Sequence, residues 1–308
     1  MKTMKSKFYS LALAAGMLSL TACSDDNTND SNNDKGNGIE NGSILKGTIT
    51  EDVTLKAGNT YKLSGEYIVE AGATLNIEEG VKIISVYDNI VDYILVKQGA
   101  KINAVGTPDK PIVMTSEKEE PGAWGGIHIC GKAHTNAEGG KGSSEIGGAV
   151  YGGNDDADNS GTLQYIRLEY TGFAFDEEHE ANGISFYGVG NGTIVDHCEA
   201  YKGSDDGFEF FGGSVNVSNM VVVSCSDDSF DWTEGWNGKG TDLVAYQEAK
   251  ATLGYDCDCL IEADNNENDN AATPVSHPVL KNLILAGNGE SKQGIRLRRG
   301  TQADIDNA

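Results

Sequence analysis

The chain has 308 residues, with 23 lysines and arginines against 47 aspartates and glutamates, which gives a net charge of −24. A polyanion of this kind repels nucleic acid and anionic lipid, so neither is an expected partner, whereas divalent cations are attracted to it. The 40 glycines and 5 prolines favour many turns over long helices.

The first 22 residues have the features of a processing signal. Lys2, Lys5 and Lys7 form a positive segment, and the apolar run 8–20 is too short to span a membrane as a mature helix. The run ends in LTAC, which resembles the lipobox of bacterial lipoproteins. This resemblance implies cleavage before Cys23 and attachment of lipid to that residue. The alternative is an ordinary secretory signal.

Residues 23–43 are predicted to form a flexible acidic tether, since no apolar residue occurs before Ile39. The sequence CSDD at its start resembles the signal that carries Bacteroidetes lipoproteins to the outer face of the outer membrane. We therefore expect an outer-membrane protein that is anchored by its lipid and faces the cell exterior. The alternative is a linker that is merely solvated.

Short β-type runs separated by glycines dominate the chain from residue 44 onward. In VTLKAGNTYKL, IVEAGATLNI and ILVKQGAKINA, alternating apolar residues surround a turn at Gly58, Gly72 or Gly99. PIVMTS and WGGIHICG continue the pattern, with Trp124 in a core strand. Runs of this kind at irregular intervals predict the coils of a solenoid with loops inserted between them.

A second pattern recurs in LQYIRL, VDHCEA, VSNMVV and LKNLIL. Three apolar positions face inward in each segment, and the third residue forms a bend. Asn219 and Asn282 at the bend predict a rung of asparagine side chains, and His197 at the same place is interpreted as a turn residue rather than a general base. Cys198 falls in an inward column, where a cysteine acts as a small apolar residue.

Five further strands, GISF, GFEF, SFDW, LIEA and GIRL, begin at offsets of 24, 22, 31 and 34 residues. The two short offsets are single coils, and the two long ones are coils with a loop insertion. This recurrence predicts an all-β fold, a single-stranded parallel β-helix with coils of about 22 residues, over residues 44–308. Its right-handedness is implied by a resemblance to pectate-lyase and polygalacturonase folds. A two-sheet β-sandwich is the alternative.

Stacking these strands in register assigns residues to columns. Two inward columns contain Ile184, Phe208, Phe230, Ile261 and Ile295, and Phe186, Phe210, Trp232, Ala263 and Leu297. The column between them points outward and contains Ser185, Glu209, Asp231, Glu262 and Arg296. Two more columns precede the strands, namely Asp205, Asp227, Asp258 and Lys292, and Asn182, Asp206, Asp228, Cys259 and Gln293.

The columns together predict an acidic stripe that crosses several coils. Like charges about 5 Å apart repel one another, so some carboxylates are protonated or cations lie among them. One interpretation is structural, with aspartates that accept turn N–H groups. Another is a calcium site, because Ca²⁺ prefers hard oxygen ligands. Its candidate ligands are Asp205, Asp206, Asp227, Asp228, Glu209, Asp231 and Glu262.

The third interpretation is catalysis. GSDDGFEF resembles the paired-aspartate strand of polygalacturonase-type β-helices, in which two carboxylates serve as acid and base. The Gly-His-Gly element of that family does not follow, and CSDDSFDW stands in its place. A lyase would need a basic residue beside calcium, for which Lys239, Lys292 and Arg296 are candidates. No catalytic residue is assigned.

Ligand binding rests on two other features. Trp236 in DWTEGWNGK is predicted on a loop, where it stacks on a sugar ring or packs against its own loop. Arg296 and Arg298 in GIRLRRG form a candidate anion site together with Arg299. The alternative is that they neutralise the acidic stripe one coil below.

Four stretches, AWGGIHICGKAHTN, YGGNDDADNSGTLQYIRLEYTG, GSDDGFEFFGGSVNVSN and DDSFDWTEGWNGKG, resemble a group of β-helix surface lipoproteins from Bacteroidetes and other bacteria. The resemblance implies a fold and a location but no established activity. We expect a surface module that binds or presents an extracellular glycan with calcium support. The alternatives are a polysaccharide lyase or glycoside hydrolase acting on acidic polysaccharide, and a structural spacer or adhesin.

Two smaller expectations concern the cysteines and the C-terminus. Besides Cys23, an odd number of cysteines argues against a complete disulfide framework, and Cys257 and Cys259 lack the spacing of a zinc site. The state of Cys130, Cys225, Cys257 and Cys259 stays open. TQADIDNA would start another coil, because Ile305 and Asn307 match Val217 and Asn219, so the β-helix is predicted to be incomplete at its end.

Overall fold

The short strands and glycine turns assemble into a right-handed parallel β-helix, as predicted. The computed structural model describes residues 38–88, 90–175 and 179–308. The leader, Cys23 and most of the tether lie outside the described residues. Within them, no helix is both long and apolar enough to cross a membrane.

In chain order, the strands are β1 (Gly38–Ile39), β2 (Ile44–Ile49), β3 (Val53–Leu55), β4 (Thr60–Val69), β5 (Thr74–Ile77), β6 (Lys82–Ser85), β7 (Tyr93–Val96), β8 (Lys101–Val105), β9 (Ile112–Ser116), β10 (Ile127–Cys130), β11 (Gly142–Ser143), β12 (Val150–Tyr151), β13 (Gly161–Glu169), β14 (Ile184–Tyr187), β15 (Ile194–Tyr201), β16 (Phe208–Phe211), β17 (Asn216–Val223), β18 (Phe230–Thr233), β19 (Lys239–Tyr246), β20 (Ile261–Ala263), β21 (Val279–Ala286), β22 (Ile295–Leu297) and β23 (Asp304–Asp306). A 3₁₀ turn spans Glu138–Gly140, and a single helical turn, α1, spans Lys250–Leu253.

Parallel pairing places the strands in three sheets, which each coil visits in the same order. Sheet 1 contains β1, β3, β5 and β8, and sheet 2 contains β6 and β9 with the first parts of β2 and β4. Sheet 3 contains the later parts of β2 and β4, then β7, β10, β14, β16, β18, β20 and β22. The hairpin of β11 and β12 is antiparallel and lies outside these sheets.

Long strands in the second half pass from sheet 1 into sheet 2 through a left-handed residue. In β13, β15, β17, β19 and β21 these residues are Tyr165, His197, Asn219, Asp242 and Asn282, with φ between 51° and 57°. Asparagine and aspartate tolerate this conformation better than most residues. The predicted bend at His197, Asn219 and Asn282 is confirmed. The coil of β19 was not predicted, because Asp242 stands at its bend and Gly240 occupies an inward position.

The predicted inward columns are confirmed by the register of sheet 3. Ile184 pairs with Phe208 and then Phe230, and Phe186 with Phe210 and then Trp232. These side chains are buried, and the Phe186 and Phe210 rings stack at 5.1 Å. Such a ring pair contributes about 0.5–1.5 kcal/mol beyond its buried area. Trp124 and Cys198 are also buried in the core, as predicted, although Trp124 lies before β10 and not in the strand, whereas the last inward side chains, Ile295 and Leu297, are exposed.

The first coil begins earlier than predicted. β1 lies in the segment assigned to the tether, and it pairs in parallel with β3, so that Ile39 is opposite Leu55. Ile39 is partly buried against the core. The predicted boundary at residue 44 is therefore wrong, because Ile39, the first apolar residue after the polar tether, is used to extend sheet 1.

Inserted loops cover part of the outer face of sheet 3. A second apolar cluster forms there between the strands and the 131–160 insertion, and it includes Leu95, Tyr187, Phe211, Ile146 and Tyr151. Further insertions follow β19 and β20, at residues 247–260 and 264–278. The insertion thus covers the outer face of sheet 3 in its first coils. The predicted acidic column lies on the same face in the next coils.

Candidate functional site

The outward column of sheet 3 is the one predicted from the sequence. In the register of sheet 3, each residue of the column pairs with the next one: Ser185 with Glu209, Glu209 with Asp231, Asp231 with Glu262, and Glu262 with Arg296. The column also extends one coil earlier, to His128, which pairs with Ser185. His128 is buried, its Nε2 lies 2.7 Å from the Gly125 carbonyl oxygen, and its Nδ1 has no partner among the described residues. Burial lowers its pKa to about 4, so this end of the column is neutral.

The turn before each strand contains a ladder of side-chain acceptors. The Asp206 N–H donates to Asn182 Oδ1 at 3.1 Å, the Asp228 N–H to Asp206 Oδ1 at 2.8 Å, and the Cys259 N–H to Asp228 Oδ1 at 2.6 Å. Each side chain therefore satisfies a backbone donor of the coil above it. These contacts give Asp206 and Asp228 the structural role that the first interpretation assigned to them.

The candidate calcium ligands form two groups. The lower acidic group contains Asp205, Asp206, Glu209, Asp227 and Asp231, and it offers two sets of three carboxylates whose oxygens lie within 4.8 Å of one another. The upper acidic group consists of Asp228, from the same coil as Asp227 and Asp231, and of Asp258 and Glu262 from the next coil. Asp227 completes one set of three with Asp228 and Asp258, and Cys259 completes another with Asp228 and Glu262. The structure thus brings together all seven predicted ligands.

The two groups differ in their basic neighbours. In the upper group, Lys292 pairs with Asp258, and Arg296 Nη1 lies 2.7 Å from Glu262 Oε1. Arg298 also contacts Glu262 and makes a bidentate pair with Asp264, with both N–O distances at 2.9 Å. Within the described part of the chain, no residue of the lower group has a lysine, arginine or histidine nitrogen within 4.0 Å.

These ion pairs decide between the two interpretations of the arginines. Arg296 and Arg298 neutralise carboxylates of the preceding coil, namely Glu262 and Asp264, as the second interpretation predicts. The prediction that they bind a ligand is therefore not supported by their contacts. Lys292 is paired in the same way, and Lys239 stands at the start of β19 in sheet 1, so none of the candidate lyase bases is free beside the lower acidic group.

Electrostatics makes the lower group unfavourable as a set of bare carboxylates. Burial, followed by repulsion from Asp205 and Asp228, raises the pKa of Asp206 well above its usual range. Burial and the nearby Glu145 and Asp231 do the same to Glu209. Asp231 has its pKa raised by burial and Glu262, and its Oδ1 is shielded from solvent without a hydrogen-bond partner among the described residues. This group must gain either protons or a cation.

Trp236 is not where the sequence analysis placed it. Its side chain is 1% exposed, stacks on Phe210 with ring centroids 4.1 Å apart, and donates from Nε1 to the Val215 carbonyl oxygen at 3.2 Å. The prediction that it stacks on a sugar ring is wrong. The loop folds back so that the Trp236 indole lies in the core beside Trp232. Burial of this large apolar ring stabilises the fold more than its exposure on the loop would.

The cysteines left open by the sequence are free thiols. Cys130, Cys225, Cys257 and Cys259 are all buried and unpaired in the described structure, as is Cys198. Burial raises the pKa of each thiol, to about 12 for Cys225 and about 11 for Cys257. Such thiols are poor nucleophiles at neutral pH.

A cavity of about 580 Å³ adjoins the lower acidic group on the same face of sheet 3. Its floor is formed by Phe211 and Thr233, which point outward two residues after Glu209 and Asp231. Its walls come from the 131–160 and 264–278 insertions and from the turn at Glu234. Glu145 lies in one wall and accepts a hydrogen bond from the Tyr187 hydroxyl at 3.3 Å.

The sequence analysis missed this cavity. Glu145 lies in an insertion with no repeat to align, so no pattern could have identified it. Glu234 did leave a signal, because it occupies the turn position that is Gly188 after β14 and Gly212 after β16. A charged residue at a repeated glycine position marks a departure from the needs of the fold.

Comparison with known proteins agrees with the β-helix fold. The family model described as a pectate-lyase like beta helix domain matches residues 47–308. A search of curated proteins gave no match.

Proposed function

The chain belongs to the pectate-lyase-like β-helix family, and from this premise we propose that it binds polysaccharide through a divalent cation, preferably calcium, held by the lower acidic group. Family membership supports a role connected with polysaccharide and nothing more specific. The cation is inferred from the carboxylates. The sugar chain would lie across the outer face of sheet 3, from the acidic column into the adjoining cavity.

One observation carries this proposal, namely the contrast between the two acidic groups. In the upper group the protein supplies its own cations through Lys292, Arg296 and Arg298. The lower group spans the coils of β16 and β18 and also consists of carboxylates close to one another, but it has no such partner within ion-pair distance in the described structure. A cation from solution would play in the lower group the part that these basic side chains play in the upper one.

Ligand chemistry favours calcium over other metals. The lower group offers only carboxylate oxygens, which are hard ligands, and the repeat of the β-helix sets several of them around one point. Calcium accepts six to eight oxygens in a flexible geometry, and remaining positions would be open to water or to hydroxyl and carboxylate groups of a sugar. Extracellular calcium sites of this kind bind in the range of about 10⁻⁴–10⁻³ M.

Location is part of the proposal. Lipid attached to Cys23 would anchor the protein in the outer membrane, and the acidic tether would hold the β-helix away from it, facing the cell exterior. Labelling with a radioactive fatty acid would detect the lipid, and protease treatment of intact cells would test the exposure. A Cys23→Ala variant that still takes up label, or a protein that is protected until cells are lysed, would contradict this part.

The main test is calcium titration by isothermal calorimetry on chelator-treated protein, followed by affinity electrophoresis on a panel of polysaccharides. Asp231→Asn and Glu209→Gln should weaken calcium binding at least tenfold and abolish calcium-dependent retardation by polysaccharide. Glu117→Gln is the matched control, because this exposed acid pairs with Lys62 on a distant coil. No calcium binding, or retardation that is insensitive to chelator, would overturn the proposal.

The panel also separates the other functions. No retardation by any polysaccharide would favour a spacer or adhesin. Unsaturated uronate products, followed by their absorbance, would reveal a lyase acting on acidic polysaccharide and replace binding as the function.

A further inference from the structure

The cavity beside the lower acidic group has two glutamates in its walls and an aromatic ring in its floor. Glu145 and Glu234 both line it, over a floor that presents the Phe211 ring. Glu145 comes from the insertion after β10, and Glu234 from the turn after β18. Two carboxyl groups from separate segments therefore face a space large enough for a sugar unit, with an aromatic ring beneath it.

Glu145 is placed to remain a neutral acid. Burial raises its pKa to about 7; the Tyr187 hydrogen bond and the nearby His179 act in the opposite direction, and the Glu234 and Glu180 carboxylates raise the pKa further. The Tyr187 hydroxyl fixes the carboxyl group through Oε2 at 3.3 Å. Tyr187 is itself fully buried and stacks on Phe211 at 4.5 Å, so the position of Glu145 is held from below.

Glu234 is fixed in the cavity by two hydroxyl groups. Its Oε2 accepts hydrogen bonds from Thr135 Oγ1 and from the Tyr151 hydroxyl, each at 2.7 Å. These two donors hold the carboxyl group in place through Oε2, and no hydrogen bond to Oε1 is formed within the described residues. Glu234 projects from a left-handed turn with φ of 54°, where the preceding coils have glycine and no side chain.

We propose that Glu145 and Glu234 are a general acid and a general base that hydrolyse a glycosidic bond of a sugar chain seated in this cavity. Glu145 gives its proton to the glycosidic oxygen as the bond from that oxygen to the anomeric carbon breaks. A water molecule, from which Glu234 takes a proton, forms the new bond to the anomeric carbon. The proton then returns from Glu234 to Glu145 through solvent, so one water is consumed and one new reducing end appears.

The charge of the cavity limits the sugar. Glu138, Glu267 and Asp269 also line it, and no lysine, arginine or histidine is among its described lining residues. A uronate in this cavity would meet like charge, with no basic side chain in the lining to pair with it. The bond that is cleaved therefore joins neutral sugars or amino sugars, and uronates are excluded from the cavity. This inference rests on the proposed function, in that the acidic column binds the rest of the chain.

The experiment measures new reducing ends from neutral, amino-sugar and uronate polysaccharides with calcium present. Wild-type protein should release them from a neutral or amino-sugar chain, and the rate should fall at high pH, because the acid must be protonated. Glu145→Gln and Glu234→Gln should each lower kcat by about 10²–10⁴-fold. Glu117→Gln should leave the rate unchanged, and circular dichroism and the melting temperature show whether each variant is folded.

Two further readouts distinguish chemistry from structure. Glu145→Gln should retain most of its activity on a nitrophenyl glycoside, whose leaving group needs no acid, and should lose the decline at high pH. Azide should restore the rate of Glu234→Ala by acting as a small nucleophile in place of the activated water. Variants that fold and cleave like the wild type would overturn the assignment.

The outcomes for this inference and for the proposed function are separable. Calcium-dependent retardation without any new reducing ends would overturn hydrolysis and leave polysaccharide binding intact. Cleavage confined to uronate chains would overturn the class of sugar assigned to the cavity. Absence of both retardation and products would remove the proposed function and this inference together.

Discussion

Asp206 Oδ1 accepts a hydrogen bond from the backbone N–H of Asp228, 22 residues later in the chain, at 2.8 Å. The same carboxyl group lies within 4.8 Å of Glu209 and Asp231 oxygens. Asp206 therefore belongs both to the turn ladder, which every coil needs, and to the lower acidic group. Several expected outcomes follow from this double position.

Replacing Asp206 by asparagine should separate the two roles. Asparagine keeps the Oδ1 acceptor, as native Asn182 does one coil below, where its Nδ2 donates to Glu209 at 2.6 Å. The new amide would reach the equivalent Asp231, whose Oδ1 has no partner among the described residues. Asp206→Asn should raise the melting temperature in chelator and weaken calcium binding.

Asp206→Ala is the matched variant, because it removes the acceptor as well as the charge. A buried N–H left without a partner costs about 1–3 kcal/mol. Urea unfolding should therefore find Asp206→Ala less stable than Asp206→Asn by about that amount. Equal stability of the two variants would show that the hydrogen bond to Asp228 contributes nothing.

The stability of the calcium-free protein should depend on pH with a defined sign. Burial raises the pKa of Asp228 to about 9, and the pKa values of Asp206, Glu209 and Asp231 are also raised. An acid with a raised pKa in the folded state contributes stability that is fully present below its unfolded pKa of about 4 and is lost as pH rises through its folded pKa. Melting temperatures in chelator should therefore fall between about pH 5 and pH 9.

Saturating calcium should flatten this profile, since a cation replaces the protons. Each proton released on unfolding corresponds to a slope of about 1.4 kcal/mol per pH unit. At the acidic end, His134 holds the pKa of Asp156 below its usual range, against burial, and Ser218 and Asn219 do the same for Asp196. Their contribution is lost only below about pH 4. A calcium-free melting temperature that rises towards pH 9 would contradict the proposed repulsion.

Arg298→Met should convert the upper acidic group into a second cation-dependent group. The change removes contacts to Glu262 and Asp264, both largely buried, and leaves these carboxylates short of positive charge. In chelator the variant should melt at a lower temperature than the wild type. Calcium should restore more of this loss than it adds to the wild type, and calorimetry should show additional calcium bound. Arg299→Met, which removes one contact to Asp264 and a longer one to the exposed Glu267, is the control.

Trp236→Phe should affect stability and leave ligand binding unchanged. The indole is buried against Phe210, and a ring of similar shape retains part of this packing. Trp236→Ala should cost about 3–5 kcal/mol, the usual loss for a large buried aromatic residue. Retardation by polysaccharide should be the same for Trp236→Phe and the wild type. Loss of retardation by a folded Trp236→Phe protein would return this residue to the ligand site.

Most of the fold could be predicted from the periodicity of the sequence. The spacing from Phe208 to Phe230 and then to Ile261 was enough to predict both the inward columns and the outward column, because in a parallel β-helix one register shift would turn every apolar side chain to the solvent. The same register predicted that Asp231 stands between Glu209 and Glu262. The coil of β19 was not predicted, because Gly240 and Asp242 interrupt the pattern of apolar and bend residues.

The sequence by itself determined what repeats, namely the coil, the bend residues and the acidic column, since each depends on local side-chain alternation that every coil must satisfy. Only the tertiary structure decided what the insertions do. It buried Trp236 in the core, paired Arg298 with Glu262 and Asp264, and brought Glu145 from a loop after β10 close to Glu234 after β18. Such contacts between distant residues depend on how non-repeating loops pack over a sheet, and no periodic pattern encodes the path of a loop.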